Sequence, residues 1–450
     1  MTPFKLTEEL VAEIKLLIYN QEDVQLEGLL NEVHYADVAE IINELAAEEA
    51  TYLIKLLDSD KTSDVLTEVD DDLREAILGN LSSKEIAEEL EELDTDDAVD
   101  IIAELSEERQ QEVISNIEDE EHKEEIKELL KYAEDTAGGL MAKELVKVYD
   151  TWTVAGCLRR IRGQAEEVTR VHSVYVVNKQ DELVGRLSLK DLIVAKNEKK
   201  IADIYISNVD YVNVEDNVED VAKVMSKYDL EAIPVVDNSK TLLGRITIDD
   251  IVDVLKEEAD KDYQLAAGIT QDVEADDSII ELTRARLPWL FLGLVGGVGA
   301  FLIMEGFQDT FNKYAVLFFF TPLIAAMAGN VGVQSSAIIV QGLANDDVKG
   351  SINRRLIKEM LLAALNGTIL ALFLFFFVWV TKGDVNTAFA ISASLVVVII
   401  VAGLIGTFVP LFLNKQGIDP AIATGPFITT SNDIFGILIY FWIAKMVLGI

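Results

Sequence analysis

Apolar residues recur at helical spacing through the first 132 positions of the chain. Val38, Ile41 and Leu45 lie three and four residues apart, the interval of one face of an amphipathic helix. The segment HYADVAEIINEL, which starts at His34, is echoed by DTDDAVDIIAEL 60 residues later. Such an internal repeat is typical of stacked helical hairpins. We therefore predict an all-α superhelical N-domain over residues 1–132.

Alternating strands and helices replace this pattern further along the chain. The segment VYVVNKQDELVGRLSLKDLI matches IPVVDNSKTLLGRITIDDIV at a constant offset of 59 residues, which aligns Gly185 with Gly244. Each copy reads as strand, turn, strand and helix. The tandem copies resemble CBS domains, a regulatory module of α/β structure. We assign the first domain to residues 133–199 and the second to residues 200–257.

Five apolar segments that are long enough to cross a bilayer follow the repeats. They cover residues 287–304, 315–343, 360–380, 388–413 and 422–446. We predict a five-helix α transmembrane domain over residues 283–450, joined to the second CBS domain by an acidic connecting helix, or plug helix, over residues 258–282. Gly293 and Gly297 in the first span have the spacing that favours close helix packing.

Charge divides the chain where the apolar segments begin. Of 38 basic and 79 acidic residues, 28 and 71 lie in residues 1–283, so the net charge is −43 there and +2 in the remainder. A segment with this much negative charge repels nucleic acid and attracts divalent cations. We therefore expect no nucleic-acid partner. One cysteine and three histidines leave hard, oxygen-ligated cations as the expected metals. No P-loop or Gly-x-Ser-x-Gly motif is present, and we predict that the chain is not an enzyme.

The distribution of basic residues predicts the orientation in the membrane. The N-terminus has no basic region followed by an apolar core, so we expect no cleaved signal peptide. Seven basic residues flank the spans on the N-terminal side of the membrane and three flank them on the other side. The positive-inside rule therefore predicts a multi-pass protein of the cell membrane with a cytoplasmic N-terminus and an extracytoplasmic C-terminus.

The last span contains one carboxylate, Asp433. A carboxylate inside a transmembrane helix costs about 3 kcal/mol, so it normally faces a partner or a water-filled path. Helical spacing predicts one face made of Gly425, Thr429, Asp433, Gly436 and Tyr440. This face combines oxygen ligands with small residues and suggests the lining of a cation path. A position at the membrane interface, or a packing pair with a buried base, is the structural alternative.

The second span contains amide side chains, and glycines that leave the backbone uncovered, in the run PLIAAMAGNVGVQSS. Asn330 and Gln334 lie one turn apart, beside Gly329 and Gly332. Amides are costly in lipid unless they are paired, so these residues should face other helices or water. Simple packing between helices remains open as the alternative to a pore.

The order of these parts, ending in the motif GPFITTSNDIFG, resembles the MgtE family of magnesium channels over essentially all 450 residues. The resemblance implies a homodimer in the lipid bilayer, with Mg2+ passing between the two membrane halves and the Asp433 pair as the selectivity element. Gly329, Asn330 and Thr429 are our candidates for the surrounding shell. The implied function is a Mg2+-selective channel for magnesium uptake. An ion-coupled secondary carrier for Mg2+ or another divalent cation, such as Co2+ or Mn2+, is the alternative.

The resemblance also implies that cytosolic Mg2+ closes the channel by bridging carboxylates of the N-domain, the CBS pair and the plug helix. By motif match the regulatory residues are Glu219, Asp229, Asp250, Asp253, Glu258, Asp262 and Asp419, with Asp97 as the candidate in the N-domain. Lys261 departs from the pattern, because the family can have another carboxylate there. This departure puts one bridging site in doubt.

An adenine nucleotide is the second ligand that the resemblance suggests. In CBS domains a glycine, a hydroxyl three residues later and an aspartate three further on often hold the ribose. The matching residues are Gly185, Ser188 and Asp191 in the first copy and Gly244, Thr247 and Asp250 in the second. A strand start and a helix N-cap would explain the same residues without a ligand. ATP is thus a candidate cofactor beside Mg2+.

Overall fold

The computed structural model describes residues 4–165, 168, 170–270, 273, 277–344, 348, 351–423 and 425–449. The chain forms two compact units, Met1–Leu255 and Lys256–Ile450. The boundary between them falls inside one helix, Ile248–Ala267.

Short helices fill the start of the first unit. They are α1 Glu8–Asn20, α2 Asp23–Leu30, α3 Tyr35–Asn43, α4 Ala47–Ile54, α5 Ser59–Glu68, α6 Asp71–Asn80, α7 Ser83–Leu90, α8 Thr95–Ala103, α9 Glu107–Asn116 and α10 Glu120–Leu129. Helices two positions apart pack together, as α3 on α5, α5 on α7 and α7 on α9. The repeated segments form α3 and α8, which have the same length and bury equivalent isoleucines, Ile41 and Ile101. The predicted helical N-domain is confirmed.

Two small sheets with the same topology follow the helices. The first contains β1 Val146–Tyr149, β2 Val174–Val177 and β3 Leu183–Leu187, with α11 Val154–Gln164 and α12 Leu189–Val194; the second contains β4 Val212–Asn213, β5 Ala232–Val236 and β6 Leu242–Thr247, with α13 Val218–Tyr228 and α14 Ile248–Ala267. In each sheet a parallel pair adjoins an antiparallel pair. Val176 pairs with Gly185 as Val235 pairs with Gly244, so the offset of 59 seen in the sequence is also the structural repeat.

The helix that leads toward the membrane segments starts earlier than the predicted plug helix. It begins at Ile248, inside the segment assigned to the second CBS domain, because the Asp250 carboxylate accepts hydrogen bonds from Thr247 N at 2.9 Å and Thr247 Oγ1 at 2.7 Å. It ends at Ala267, before Gly268 with a φ of +83°. Residues 271, 272 and 274–276 of the predicted plug helix lie outside the described residues.

The second unit contains long apolar helices. They are α15 Ile279–Gly306, α17 Val316–Ala344, α18 Ile352–Lys382, α19 Val385–Lys415 and α20 Gly425–Leu448, with the short α16 Gln308–Lys313 after α15. Within the described residues, these five long helices have the length and mean hydropathy, 1.4 to 2.8, needed to cross a membrane. Helix α19 packs on α17, α18 and α20, and 56% of its most apolar stretch is buried inside the unit. The five predicted spans are confirmed.

Helix α15 approaches α20 at a different glycine from the one that the spacing suggested. A Cβ at Gly293 or Gly297 would meet no atom of the chain within 4 Å. At Gly296 it would lie 2.0 Å from Thr430 Cγ2. One residue turns a helix by about 100°, so a spacing read from sequence does not fix which glycine faces the neighbour.

Gly244 is a place where the fold leaves no room for a side chain. A Cβ there would lie 2.6 Å from Ala142 O, and that backbone is held because Ala142 and Arg245 exchange hydrogen bonds of 2.8 and 2.9 Å. We expect Gly244→Ala to lower the stability of the first unit by about 1–3 kcal/mol, as overpacking does. Scanning calorimetry of the full chain in detergent should show a lower melting temperature for that unit.

The matched control is Gly163→Ala in α11. A Cβ at Gly163 meets nothing within 4 Å, and alanine favours a helix by about 1 kcal/mol over glycine. This variant should melt at or above the temperature of the parent chain. Equal melting of the Gly244→Ala variant and the parent would contradict the contact with Ala142.

Candidate metal centres

The intramembrane carboxylate opens onto a groove between α17 and α20. Asp433, which is half-buried, shares a cavity of about 540 Å3 with Gly329, Asn330 and Thr429. All four residues were predicted from the sequence, and the structure brings them together. Gln334 also lines the cavity, one turn beyond Asn330. The groove offers carboxylate, amide, hydroxyl and backbone oxygens, the ligand types that suit Mg2+.

Two residues predicted on the same face as Asp433 point elsewhere. Gly436 lies against α17, where its Cβ would be 3.0 Å from Ala328 Cβ. Tyr440 is fully buried, and its hydroxyl donates to Leu317 O at 2.9 Å. The prediction that they line a cation path is wrong, because α17 covers this face of α20 beyond Asp433.

The start of α20 contacts the end of α14 within the second unit. A Cβ at Gly425 would lie 2.2 Å from Ala266 O, and a Cβ at Gly268 would lie 2.3 Å from Pro426 Cγ. Trp289 of α15 lies beside the same corner, 3.5 Å from the Gly268 position. The end of the connecting helix is thus packed against the first turn of the helix that carries Asp433.

Acidic side chains crowd together in the first unit at the start of α8. Asp94, Asp96 and Glu144 each offer one carboxylate oxygen, and these three oxygen atoms lie within 4.8 Å of one another. The Glu144 carboxylate accepts hydrogen bonds from Thr95 N at 3.2 Å and Thr95 Oγ1 at 2.9 Å. Arg245 is the basic partner here, with its Nη2 3.1 Å from Asp94 Oδ2. Arg245 thus balances the charge of Asp94, and a divalent cation would balance the charge of the other two carboxylates.

The protonation of these carboxyl groups reflects the crowding. Burial and the Glu144 carboxylate raise the pKa of Asp94 to about 6, in spite of Arg245. Burial and then the Asp250 carboxylate raise the pKa of Asp97 to about 7. Burial also raises the pKa of Asp250. Asp97 and Asp250 were predicted from different domains, and each lies in the electrostatic field of this cluster.

Several members of this acidic region were missed from the sequence. Asp94 and Asp96 belong to the DTDD run in the repeated segment, a signal that could have found them. Glu144 lies in a connecting segment, and nothing in its sequence context marks it. His122, Glu125 and Glu144 form another group whose ligand atoms lie within 4.8 Å, and burial with the Glu144 charge raises the pKa of Glu125 to about 7. Asp94 and this group line one cavity of about 950 Å3.

The predicted regulatory residues on α13 are kept apart by their helix. Glu219 is in its first turn and pairs with Lys223 at 3.6 Å, whereas Asp229 ends the helix with a φ of +51°. Ten residues of helix separate them by about 15 Å. The structure therefore does not bring Glu219 and Asp229 into one site, and Asp229 ends the helix in a left-handed conformation.

The remaining predicted carboxylates follow α14 and the loop before α20. Asp253 is exposed, and Glu258 and Asp262 lie one turn apart. Lys261, the residue that departs from the pattern, pairs with Glu258 at 3.1 Å. Asp419 accepts a hydrogen bond from Ala421 N at 2.8 Å and so caps the short turn Pro420–Ala423.

The nucleotide motif of the first CBS copy surrounds a cavity of about 540 Å3. Ser188 and Asp191 line it together with His172, Arg186 and Lys190. Gly185, the third residue of the motif, packs under Tyr205 and Ile206, where no Cβ would fit. In the second copy Asp250 and Thr247 are bonded to each other at the start of α14. The two copies of the motif therefore present different surroundings.

Comparison with known proteins matches the helical N-domain, the two CBS copies and most of the membrane segments. The profile of a family described as "Divalent cation transporter" matches residues 321–443, that of the "MgtE intracellular N domain" matches residues 33–135, and that of the CBS domain matches residues 137–198 and 201–257. The chain is 37% identical over 319 residues to a magnesium transporter MgtE of Enterococcus faecalis, covering 71% of this chain and 70% of the relative. It is 35% identical to one of Thermus thermophilus over 323 residues, 71% of this chain and 72% of the relative.

Solved structures agree with the first unit. The soluble part of a magnesium transporter is 33% identical, with a TM-score of 0.50 over 56% of this chain and 99% of that one. The cytosolic domain of the Mg2+ channel MgtE in complex with ATP is 32% identical, with a TM-score of 0.51 over 54% of this chain and 99% of that one. The family is not an enzyme family. The chain, a multi-pass membrane protein, therefore belongs to the MgtE family of magnesium transporters.

Proposed function

We propose that this chain is a Mg2+-selective channel for magnesium uptake and that cytosolic Mg2+ closes it. The observation that carries the proposal is the groove in which Asp433 meets Gly329, Asn330 and Thr429. Mg2+ sheds water reluctantly, so a ring of carboxylate, amide and carbonyl oxygens that binds the hydrated ion suits it. An inside-negative membrane potential favours entry of a divalent cation by about 4.6 kcal/mol per 100 mV, so uptake needs no other energy source.

The groove also supports a homodimer. Asn330 and Gln334 are exposed on the surface of the single chain, at the level of the apolar helices. Amides that face lipid are costly, so a second copy facing the first across the groove would remove them from the bilayer. The same arrangement would place two Asp433 carboxylates around one path, with two-fold symmetry. We propose the cytoplasmic N-terminus and extracytoplasmic C-terminus that the basic flanks predict.

The acidic cluster and the packing of α14 both support closure by Mg2+. Without a divalent cation, Asp94, Asp97 and Asp250 repel one another, and a bound ion favours the compact arrangement. In the second unit the end of α14 lies against Gly425 and Pro426. A shift of this helix end would act directly on the helix that carries Asp433.

The first CBS copy supports an adenine nucleotide as an additional ligand. Its cavity places the Asp191 carboxylate, suited to ribose hydroxyls, beside Arg186 and Lys190, which suit phosphates. A relative's cytosolic domain has been solved in complex with ATP. We propose that ATP binds in this cavity and not at the second copy.

Asp433→Ala should reduce Mg2+ flux by about tenfold or more, because the groove loses its charged ligand. The measurement is Mg2+ entry into proteoliposomes, read by a trapped indicator. Glu305→Gln is the matched control, since it removes an exposed carboxylate at the end of α15. Flux that is indifferent to Asp433 would contradict the pore assignment, and flux limited to carrier turnover rates would favour the secondary carrier.

Asp97→Asn should weaken inhibition by cytosolic Mg2+, raising the inhibitory concentration by about tenfold, because the buried cluster loses an ionic ligand. Single-channel recording with Mg2+ varied on the cytosolic side measures it. Asp37→Asn is the control, because Asp37 occupies the equivalent position of the repeated segment in α3. An unchanged inhibition curve, or inhibition at lower Mg2+, would exclude Asp97 from the sensor.

Asp191→Ala should weaken ATP binding by about tenfold, the loss expected for a hydrogen bond to a charged group. Titration calorimetry of the full chain in detergent with EDTA present measures the affinity. Asp250→Asn, at the equivalent position of the second copy, should leave it unchanged. Equal losses in both variants, or none in either, would contradict a single site in the first copy.

A further inference from the structure

The segment around Asp433 is held by glycines of two neighbouring helices. A Cβ at Gly296 of α15 would lie 2.0 Å from Thr430 Cγ2, and a Cβ at Gly332 of α17 would lie 1.8 Å from Asn432 Nδ2. Neither distance is possible for a real side chain. Two side chains of α20 that precede the carboxylate therefore pack directly on the backbone of neighbouring glycines.

Asn432 is the unusual member of this contact. It is only 1% exposed, and neither its Oδ1 nor its Nδ2 has a hydrogen-bond partner among the described residues. Proteins rarely bury an amide without a partner, because an apolar side chain of the same shape would be more stable there. The stability of the fold alone therefore does not explain an amide at this position.

The backbone of Gly332 cannot move away from Asn432, because α19 packs against its other side. A Cβ at Gly406 of α19 would lie 2.3 Å from Gly332 O. Helices α17, α19 and α20 thus meet at one backbone position. Gly332 lies three residues after Gly329, which lines the groove with Asp433. A change in the contact between Asn432 and Gly332 is therefore transmitted to both walls of the groove.

We propose that Asn432 is a positioning residue for the ion path. Its amide, wedged against Gly332, fixes the rotation of α20 and hence the distance of the Asp433 carboxylate from Gly329 and Asn330. Because a hydrated cation is selected by the spacing of the oxygens around it, this wedge makes the groove selective for Mg2+ over the larger Ca2+. The proposal rests on the proposed function of Asp433 as the ion-binding residue.

A suppressor experiment tests the wedge. Gly332→Ala places a methyl group where the Asn432 amide lies, so Mg2+ flux in proteoliposomes should fall by about tenfold, together with the ratio of Mg2+ to Ca2+ flux. In the double variant Gly332→Ala with Asn432→Ala, the methyl group fills the space that the amide leaves. Mg2+ flux should return to within about threefold of the parent chain.

The single variants and controls make the result specific. Asn432→Ala should lower the ratio of Mg2+ to Ca2+ flux, whereas Asn432→Leu, which keeps the shape of the wedge, should retain more of that ratio. Gly293→Ala, on an open face of α15, should behave as the parent. The amount of chain recovered from the membrane reports folding in each case.

Each unfavourable outcome has a separate meaning. Parent-like flux and ratio in Gly332→Ala, or a loss that Asn432→Ala does not restore, would overturn the positioning role. Where Gly332→Ala fails to reach the membrane, Asn432→Ala decides, and an unchanged flux ratio refutes the proposal. Undiminished flux in Asp433→Ala would instead refute the proposed function on which the inference rests.

Discussion

A carboxylate held among apolar helices without a basic partner is the constraint on which the membrane unit depends. Within the described residues no basic side chain forms an ion pair with Asp433. The cost of burying it is lowest where backbone and small polar groups line an open groove. Glycine supplies that backbone, and the packing of α15, α17 and α19 around α20 follows from the positions at which their glycines admit it.

The first unit has the opposite arrangement, because several carboxylates lie close together in it. The raised pKa values of Asp94 and Asp97 measure how unfavourable their ionised forms are without a counter-ion. Arg245 compensates one of them. Under the proposed function the transported ion supplies the remaining positive charge. Oxygen ligands then bind Mg2+ in the groove, where it passes, and in the acidic cluster, where its cytosolic concentration is sensed.

Periodicity and repeats predict most of this fold, because they record which residues must be buried. The offset of 59 predicts the paired sheets, and the apolar runs predict the five spans. The residues of the groove were predicted only in part: Thr429 and Asp433 lie in it, whereas α17 covers Gly436 and Tyr440. The rotation of a helix that is apolar all round is set by its neighbours and leaves little mark on its own sequence.

Contacts formed between distant segments were the hardest to predict. Glu144 joins the acidic cluster through Thr95, 49 residues earlier, and Asn432 meets a glycine 100 residues before it. Neither pair has a local pattern. Both lie where a functional group is held in an unfavourable state, a buried carboxylate in one case and an unpaired amide in the other. Such places break the local rules of folding, so sequence periodicity is least informative there.

Two of the contacts that hold α20 have a mechanical consequence under the proposed function. Its first residue, Gly425, rests on Ala266 at the end of α14, and Asn432 rests on Gly332 seven residues later, about 10 Å along the axis. Asp433 lies just beyond the second contact. A displacement of the α14 end would therefore tilt α20 about the Gly332 contact, moving the carboxylate by a small distance in the opposite direction. Under the proposed function a small movement would be sufficient to close the path, because binding of a hydrated ion depends on the spacing of its oxygen ligands.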